Sequence, residues 1–225
     1  VMGNTLVDMY AKCGHLAKAQ DILNSLPSRN VVSWNALIAG YTEHGFASEA
    51  LDCYEKMKLE LVEPDAITII CILRACGTIR ATQKGQEIHA EISRKGLLGE
   101  DPDIANSLID MYNKFQSLTK ALQVFDTLPI RDNVITWNSI ISGCVNHDYS
   151  EEALHFFQQM QLENVFPDVI TYICSLKASG SLGASCMGQE IHAKVERELW
   201  GFVSTIKSDQ DFFIGAEVVI ETDCL

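Results

Sequence analysis

The chain has 225 residues, of which 47% are hydrophobic and 21% are charged, and its formal net charge is −13. This composition is typical of a globular protein and excludes disorder along the whole chain. The negative charge argues against a protein that binds nucleic acid mainly by covering phosphates with cations, but it leaves open the recognition of unstacked bases. No apolar run reaches the roughly 18 residues of a membrane span.

The first 30 residues predict a short helical hairpin. Leu6, Val7 and Tyr10 mark the apolar face of its first helix, Leu23 lies on the apolar face of the second, and Pro27 closes the unit. These spacings follow the period of an α-helix.

Residues 31–65 predict a second hairpin of 35 residues. Trp34, Leu37, Ile38 and Tyr41 stand at i, i+3, i+4 and i+7 and form one apolar helical face, which a Gly-containing break ends. Residues 66–101 predict a third, longer hairpin, whose second helix carries the string GQEIHA.

The three hairpins then return in the same order. VVSWNALIAGY at Val31 is matched by VITWNSIISGC at Val134, an offset of 103 residues, and GQEIHA recurs at the same offset. The predicted second set is short 102–133, standard 134–168 and long 169–204. Hairpins that cannot bury their apolar faces alone stack on their neighbours. We therefore predict an all-α solenoid of about twelve helices with no sheet before residue 205, followed by a divergent or truncated repeat or tail at 205–225.

The eight cysteines lie at apolar helix positions without CxxC spacing. Such cysteines are typical of buried free thiols, so neither a metal site nor a cofactor is expected. A reducing compartment is the default for a chain of this kind.

The repeated strings resemble the pentatricopeptide repeat family, in its plant-type subclass with triplets of short, standard and long motifs. They are NTLVDMYAKCG and NSLIDMYNK in the short motifs, SWNALIAGY and TWNSIISGC with a terminal PD in the standard ones, and GQEIHA in the long ones. The resemblance covers residues 1–204. It implies a right-handed α-solenoid of helix-turn-helix repeats whose first helices line a groove for single-stranded RNA, about one base per repeat.

The resemblance also implies which residues read bases, namely an amide near the start of each first helix together with the last residue of the motif. An Asn with an Asp favours uracil, and an Asn with an Asn favours a pyrimidine. The implied pairs are Asn4 with Asn30, Asn35 with Asp65, Asn106 with Asn133, and Asn138 with Asp168. The implied positions that sandwich the base are Val1, Val32 and Ile135, with Asp103 a poor fourth because a carboxylate offers no apolar face.

The long motifs carry Ile70 and Ile173 at the amide position, so we expect them to space the bases rather than read them. Lys12 and Lys114 match a first-helix lysine that reaches the RNA backbone in such proteins. Glu43 and Asn146 occupy that place in the standard motifs, so the phosphate contribution is expected to be small.

Simpler structural roles compete with these assignments. Asn35 and Asn138 could be helix N-caps, and Trp34 and Trp137 are expected in the core. His89 begins an HxE string like that of a zinc deaminase, but the PCxxC half of such a site is absent from the sequence. We expect His89 and its equivalent His192 to be packing residues, and we expect no enzyme activity.

We interpret the sequence as a sequence-selective, single-stranded RNA-binding protein that acts in organellar RNA metabolism, in editing, processing, splicing or stability. The expected partners are pyrimidine-rich RNA and editing or processing factors supplied in trans or by a further C-terminal domain, with no membrane. The expected location is the mitochondrion or chloroplast. Because the chain starts inside a motif, we expect a fragment without its targeting peptide. The alternatives are a protein-binding scaffold of tetratricopeptide type, which has no need for the Asn/Asp pairs, and a degenerate gene fragment without activity.

Overall fold

The computed structural model describes residues 2–99 and 101–197, and within them the chain forms α-helices, one 3-10 turn at Leu97–Gly99 and no strand. The predictions for Val1 and for residues 205–225 lie outside this part. The described α-helices are α1 (Met2–Lys12), α2 (Leu16–Ser25), α3 (Val31–Glu43), α4 (Ala47–Leu59), α5 (Ala66–Ile79), α6 (Thr82–Lys95), α7 (Pro102–Lys114), α8 (Leu118–Thr127), α9 (Val134–Asn146), α10 (Ser150–Leu162), α11 (Val169–Ser181) and α12 (Ser185–Val195).

Consecutive helices pair into hairpins, and the hairpins stack in chain order. The first helix of each hairpin packs on the first helix of the next one, along the series α1, α3, α5, α7, α9 and α11. Each second helix packs on the first helix of its own hairpin, and α2, α4, α8 and α10 also contact the first helix of the next hairpin. The prediction of an all-α solenoid with about twelve helices is confirmed for the described residues.

The core runs continuously through the stack, because each apolar face is covered by the next hairpin. Trp34 and Trp137 are both buried, as predicted, and the Trp137 ring meets the Phe125 ring edge-on with centroids 4.9 Å apart. The first helices approach closely at a glycine: a Cβ atom added to Gly40 of α3 would lie 2.6 Å from the Cβ of Ala11 in α1. A larger residue at this position would push two hairpins apart.

First and second helices begin in different ways. Each described first helix after α1 starts at an Asn or Asp whose side chain accepts a hydrogen bond from a backbone N–H of the first turn, and these N-caps are Asn30, Asp65, Asp101, Asn133 and Asp168. No described second helix has a side-chain cap. Strong N-cap residues satisfy amide groups that the helix itself leaves free, so capping is concentrated on the helices that line the inside of the stack.

The described cysteines are all free thiols. Cys53, Cys71, Cys76 and Cys144 are buried, as predicted, and burial raises the pKa of Cys53 to about 11 and that of Cys144 to about 12. The prediction is wrong for two others, which are exposed because they lie at the turn after a first helix and in the first turn of α12: Cys13 and Cys186. Across residues 2–99 and 101–197 no helix combines the length and the apolar character that a bilayer crossing requires.

Candidate nucleic-acid interface

The first helices between the two ends of the described stack, from α3 to α9, each leave one narrow stripe uncovered. In α5 the exposed residues, apart from the last residue of the helix, are Ile67, Arg74 and Thr78. Ile70 is partly exposed, and all four residues lie on one side of the helix. Equivalent stripes on the other first helices lie side by side because these helices stack on one another. We call the surface formed by these stripes the inner face.

A cleft of about 400 Å³ opens on the inner face between the first three first helices. Its lining includes the buried Asn35, the exposed Asp65, and the aliphatic side chains of Val32 in α3 and Ile67 in α5. A cleft lined by both polar and aliphatic side chains suits a flat ring with hydrogen-bonding groups on its edge.

Asn35 and Asp65 form a closed polar pair at the joint between two repeats. The Nδ2 of Asn35 donates to Oδ1 of Asp65 at 2.8 Å, and the hydroxyl of Thr68 donates to Oδ1 of Asn35 at 2.5 Å. The same carboxylate also accepts from the backbone N–H of Thr68 at 3.0 Å and thereby caps α5. Asp65 thus belongs to the joint between the repeats as well as to the cleft.

The second standard repeat reproduces this geometry 103 residues later. The Nδ2 of Asn138 donates to both carboxylate oxygens of Asp168, at 2.9 and 3.0 Å, and the hydroxyl of Thr171 donates to Oδ1 of Asn138 at 2.6 Å. An ionised carboxylate can only accept, so the amide nitrogen of each Asn must face its Asp. The orientation of both amides is therefore fixed before any ligand arrives.

Both carboxylates are held in the ionised form. Burial raises the pKa of Asp65, but hydrogen bonds from the backbone and hydroxyl of Thr68 and from the amide of Asn35 outweigh it, and the pKa of this carboxyl lies below its usual value. Asp168 has the same balance of causes and a lowered pKa as well. Each standard repeat accordingly presents a negative, acceptor-only group beside its reading amide near neutral pH.

The first short repeat contains a neutral version of the pair. The Nδ2 of Asn4 donates to Oδ1 of Asn30 at 3.1 Å, and Asn30 caps α3 by accepting from the backbone N–H of Ser33 at 3.0 Å. This arrangement resembles that of the standard repeats, but the cap is an amide and the hydroxyl of Ser33 donates to the backbone carbonyl of Asn30 rather than to Asn4.

The second short repeat lacks the direct contact. Asn133 caps α9 through the N–H of Ile135 at 2.9 Å, and its side chain does not bond to Asn106. Asn106 accepts from the hydroxyl of Thr136 at 2.6 Å, while its buried Nδ2 has no hydrogen-bond partner. The turn before α9 contains one additional residue, Asp132, which changes the conformation of the cap.

The competing N-cap role does not apply to Asn35 and Asn138. Both are the fifth residue of their helices and both are buried. Capping is instead carried out by the last residue of each preceding motif, as described for Asn30 and Asp65.

A row of exposed aliphatic side chains runs along the inner face beside the amides. Val32 and Ile135, which the sequence proposes as sandwiching residues, are 57% and 54% exposed. Ile67 and Ile170 of the long repeats have the same exposure, at 57% and 56%, and the sequence analysis missed them. The signal was present, because Ile67 follows Val32 by the 35 residues of one repeat. Asp103 is exposed and interrupts the row.

The two proposed phosphate lysines are engaged within their own helices. The Nζ of Lys12 lies 2.9 Å from a carboxylate oxygen of Asp8, and that of Lys114 lies 2.7 Å from one of Asp110. The hydrogen bond to Asp8 raises the pKa of Lys12. Each ion pair carries no net charge toward a passing strand.

His89 packs as a structural residue. Its Nδ1 lies 2.7 Å from the Tyr112 hydroxyl, the two rings meet edge-on, and burial lowers the pKa of the imidazole. His192, expected to behave likewise, is instead exposed and lies 3.8 Å from Glu196. In the part of the chain that the structure describes, no three His, Cys, Asp or Glu side chains are grouped as metal ligands would be.

The stack of helical hairpins with an amide row on its inner face defines a repeat solenoid. A family model described as PPR repeat family matches residues 29–78 and 132–179, and one described as PPR repeat matches residues 4–31. The chain belongs to the pentatricopeptide repeat family.

Its relatives are plant proteins of the same family. A pentatricopeptide repeat-containing protein of Arabidopsis thaliana named as chloroplastic is 35% identical over 85% of this chain and 31% of its own length. Another, named as mitochondrial, is 35% identical over 84% of this chain and 27% of its own length. The chain therefore spans less than a third of the length of these two relatives.

A solved structure supports the fold. The crystal structure of the pentatricopeptide repeat protein PPR10 from maize matches with a TM-score of 0.62 and 19% identity, over 86% of this chain and 29% of that one.

Proposed function

We propose that this chain binds single-stranded RNA by reading individual bases on its inner face, and that it acts in organellar RNA metabolism without catalysing a reaction itself. The observation that carries the proposal is the Asn–Asp couple of each standard repeat, Asn35 with Asp65 and Asn138 with Asp168, which lies beside exposed aliphatic side chains. The names of the relatives support a mitochondrial or chloroplast location. The triplet order of the motifs supports the plant subclass with short, standard and long repeats.

The two kinds of pair favour different bases on chemical grounds. The carboxylate of Asp65 offers only acceptors, which suits the N3–H of uracil and opposes the bare N3 of cytosine. Asn30 carries an amide, whose NH₂ group can donate to the N3 of cytosine and whose carbonyl oxygen can accept from the N3–H of uracil. A flat base would lie between the aliphatic side chains of adjacent repeats, such as Val32 and Ile67, which bracket the Asn35 cleft.

With the strand running parallel to the repeats, the preferred site is 5′-pyrimidine, U, any, pyrimidine, U, any-3′. Four reading repeats at roughly 1–3 kcal/mol per stacked base, less the cost of ordering the strand, leave about −6 to −8 kcal/mol. That corresponds to micromolar or weaker binding.

The test exchanges the reading residues of one repeat. In line with the base pairings that the family resemblance implies, Asn35→Thr should move the preference at the second base from U toward G, and the double change with Asp65→Asn should move it toward A. Discrimination of about 1–3 kcal/mol is expected at that base. The measurement is competitive binding of RNA variants to the 225-residue chain, with helicity followed by circular dichroism.

The chain supplies its own matched control. Asn138→Thr makes the same chemical change in the equivalent repeat, so it should alter the preference at the fifth base and leave the second unchanged. If wild type and all three variants rank the bases alike, the pairs do not read RNA.

A protein-binding scaffold is the second candidate, and one observation favours it. The ends of the second helices in the standard repeats expose large apolar side chains, which RNA reading does not need: Leu59, Leu61, Leu162 and Phe166. Absence of base preference in the experiment above would shift the proposal to this surface.

A further inference from the structure

The described first helices carry four cations, and these are of two kinds. Lys12 and Lys114 are each paired with an aspartate one turn earlier in the same helix. Arg74 of α5 and Lys177 of α11 form no ion pair with any described residue, and both are exposed.

The two unpaired cations occupy equivalent places. Lys177 follows Arg74 by 103 residues, so both belong to long repeats. Arg74 stands four residues after Ile70 and seven after the exposed Ile67, which places it on the inner face one turn beyond the base-reading position. Lys177 stands in the same relation to Ile173 and Ile170.

The residues at the same position of the neighbouring first helices do not pair with these charges. The residue at the same helical position is Ala39 in α3 and Ser142 in α9, neither of which is charged. In α7 the residue at this position is Asp110, whose carboxylate oxygen lies 2.7 Å from the Nζ of Lys114. Arg74 and Lys177 are therefore the positions where the inner face of this acidic chain presents positive charge.

The chemistry shared by the two residues points to phosphate rather than to a base. Ile70 and Ile173 cannot hydrogen-bond a base, so the long repeats have no reading group for Arg74 or Lys177 to assist. An arginine can match a base edge with two parallel hydrogen bonds, but a lysine acts as a compact point charge. A group that both can bind equally well is a phosphate oxygen.

We propose that Arg74 and Lys177 bind the phosphates of the RNA strand, so that each long repeat holds the backbone at a nucleotide whose base it does not read. This inference rests on the proposed function. It reassigns the phosphate contacts from Lys12 and Lys114 to the long repeats. The two contacts lie three repeats apart, which is three nucleotides at one base per repeat.

The first test compares two double variants with the same change in net charge. For a single strand the slope of log K against log salt is about −0.7 per phosphate contact. Arg74→Gln with Lys177→Gln should therefore reduce the magnitude of the slope by about 1.4, with the order of base preference unchanged. Lys12→Gln with Lys114→Gln should leave the slope within error of wild type. Equal changes in both variants would reveal a long-range field effect and overturn the inference.

The second test locates the contacts on the strand. An uncharged methylphosphonate linkage is placed at each position of the target RNA in turn. Wild type should lose affinity at two linkages three nucleotides apart, and Arg74→Gln and Lys177→Gln should each remove the sensitivity of one of them. Sensitive linkages that neither variant affects would contradict the inference.

The tests separate failure of the inference from failure of the proposed function. If wild type shows no base-selective binding of RNA, the proposed function fails. If wild type binds with base preference but neither variant changes the slope or the sensitive linkages, only the assignment of Arg74 and Lys177 fails. Circular dichroism of both double variants checks that the helices are retained.

Discussion

The turn that leads from the first short repeat into α3 and the turn that leads from the second into α9 have almost the same sequence, LPSRN and LPIRDN. Their hydrogen bonds differ. In the first turn Asn30 meets both Asn4 and the backbone of α3. In the second, Asn133 caps its helix and leaves the buried amide nitrogen of Asn106 without a partner.

The difference extends into the core. The indole N–H of Trp34 is buried without a partner, whereas that of Trp137 donates to the carbonyl oxygen of Arg131 at 2.6 Å. The arginines differ too: Arg29 holds Glu60 through two contacts of 2.7 and 2.8 Å. The guanidinium of Arg131 lies 4.6 Å from the centre of the Phe125 ring, and its distance to the carboxylate of Glu163 is longer, at 4.0 Å.

The second turn differs from the first in length by one inserted residue, Asp132. The helices on either side keep their places in the stack, so the insertion is absorbed by the turn and by the groups that contact it. The comparison teaches that two repeats with the same letters at the reading positions need not form the same site.

The largest effect should come from the two tryptophans. Trp34→Phe and Trp137→Phe each lose buried contacts worth about 1–3 kcal/mol. Trp137→Phe also loses a hydrogen bond and leaves the Arg131 carbonyl oxygen unpaired, for about 1 kcal/mol more. Trp34→Phe removes a donor that had no partner. Urea denaturation should place Trp137→Phe below Trp34→Phe in the free energy of unfolding, and the reverse order would show that the two turns do not differ in this way.

The next effect concerns specificity at the two short repeats. Asn30→Asp should create the acceptor-only pair of the standard repeats and move the first base from either pyrimidine to uracil, by about 1 kcal/mol. Asn133→Asp should not change the fourth base, since this side chain points to the N–H of Ile135 and not to Asn106. Competition between C- and U-containing RNA at each position measures both.

Deletion of Asp132 provides the control for that comparison. In the chain with the shorter turn, Asn133→Asp should acquire the same uracil preference that is expected of Asn30→Asp in the first repeat. If Asn133→Asp changes the fourth base in the undeleted chain, the contact between the amide and the cap does not govern the preference.

The smallest effect should be the pH dependence of stability. Because Asp65 and Asp168 have pKa values below the usual 3.8, the stability that they contribute is present above pH 4 and is lost as pH falls through the lowered pKa values. Asp65→Asn with Asp168→Asn keeps a good cap but cannot titrate. Denaturation between pH 5 and pH 3 should show a shallower loss in this variant than in wild type, and parallel curves would refute the assignment.

The sequence was sufficient to predict the helices, the hairpins and the buried tryptophans. The apolar residues of each helix follow its period of 3.6 residues, and they recur at equivalent positions when the motifs repeat. The sequence also predicted that Asn35 and Asp65, 30 residues apart, meet. That inference came from the family resemblance, since no local pattern joins the two positions.

Other features could not be predicted from the pattern. The missing contact between Asn106 and Asn133 depends on the conformation of a six-residue turn. Helical periodicity does not predict how one inserted residue changes the hydrogen bonds of such a turn. The pairing of Lys12 with Asp8 was within reach, because oppositely charged residues four apart on a helix are neighbours. The same rule predicts that Arg74 is unpaired within its helix, because no acidic residue lies three or four positions from it.

The caps of the first helices have a consequence for how new specificities can arise. The last residue of a motif, such as Asp65, would contribute to base choice and also starts the next helix. Asn, Asp and Ser are the best residues for that start, with Thr close behind, and others cost about 1 kcal/mol. The alphabet available at this position is thus restricted by helix formation before any RNA is bound. A designer who changes the base preference of such a repeat is therefore limited at Asp65 to residues that also begin a helix, whereas the limits at Asn35 come from its burial and its hydrogen bonds to Asp65 and Thr68.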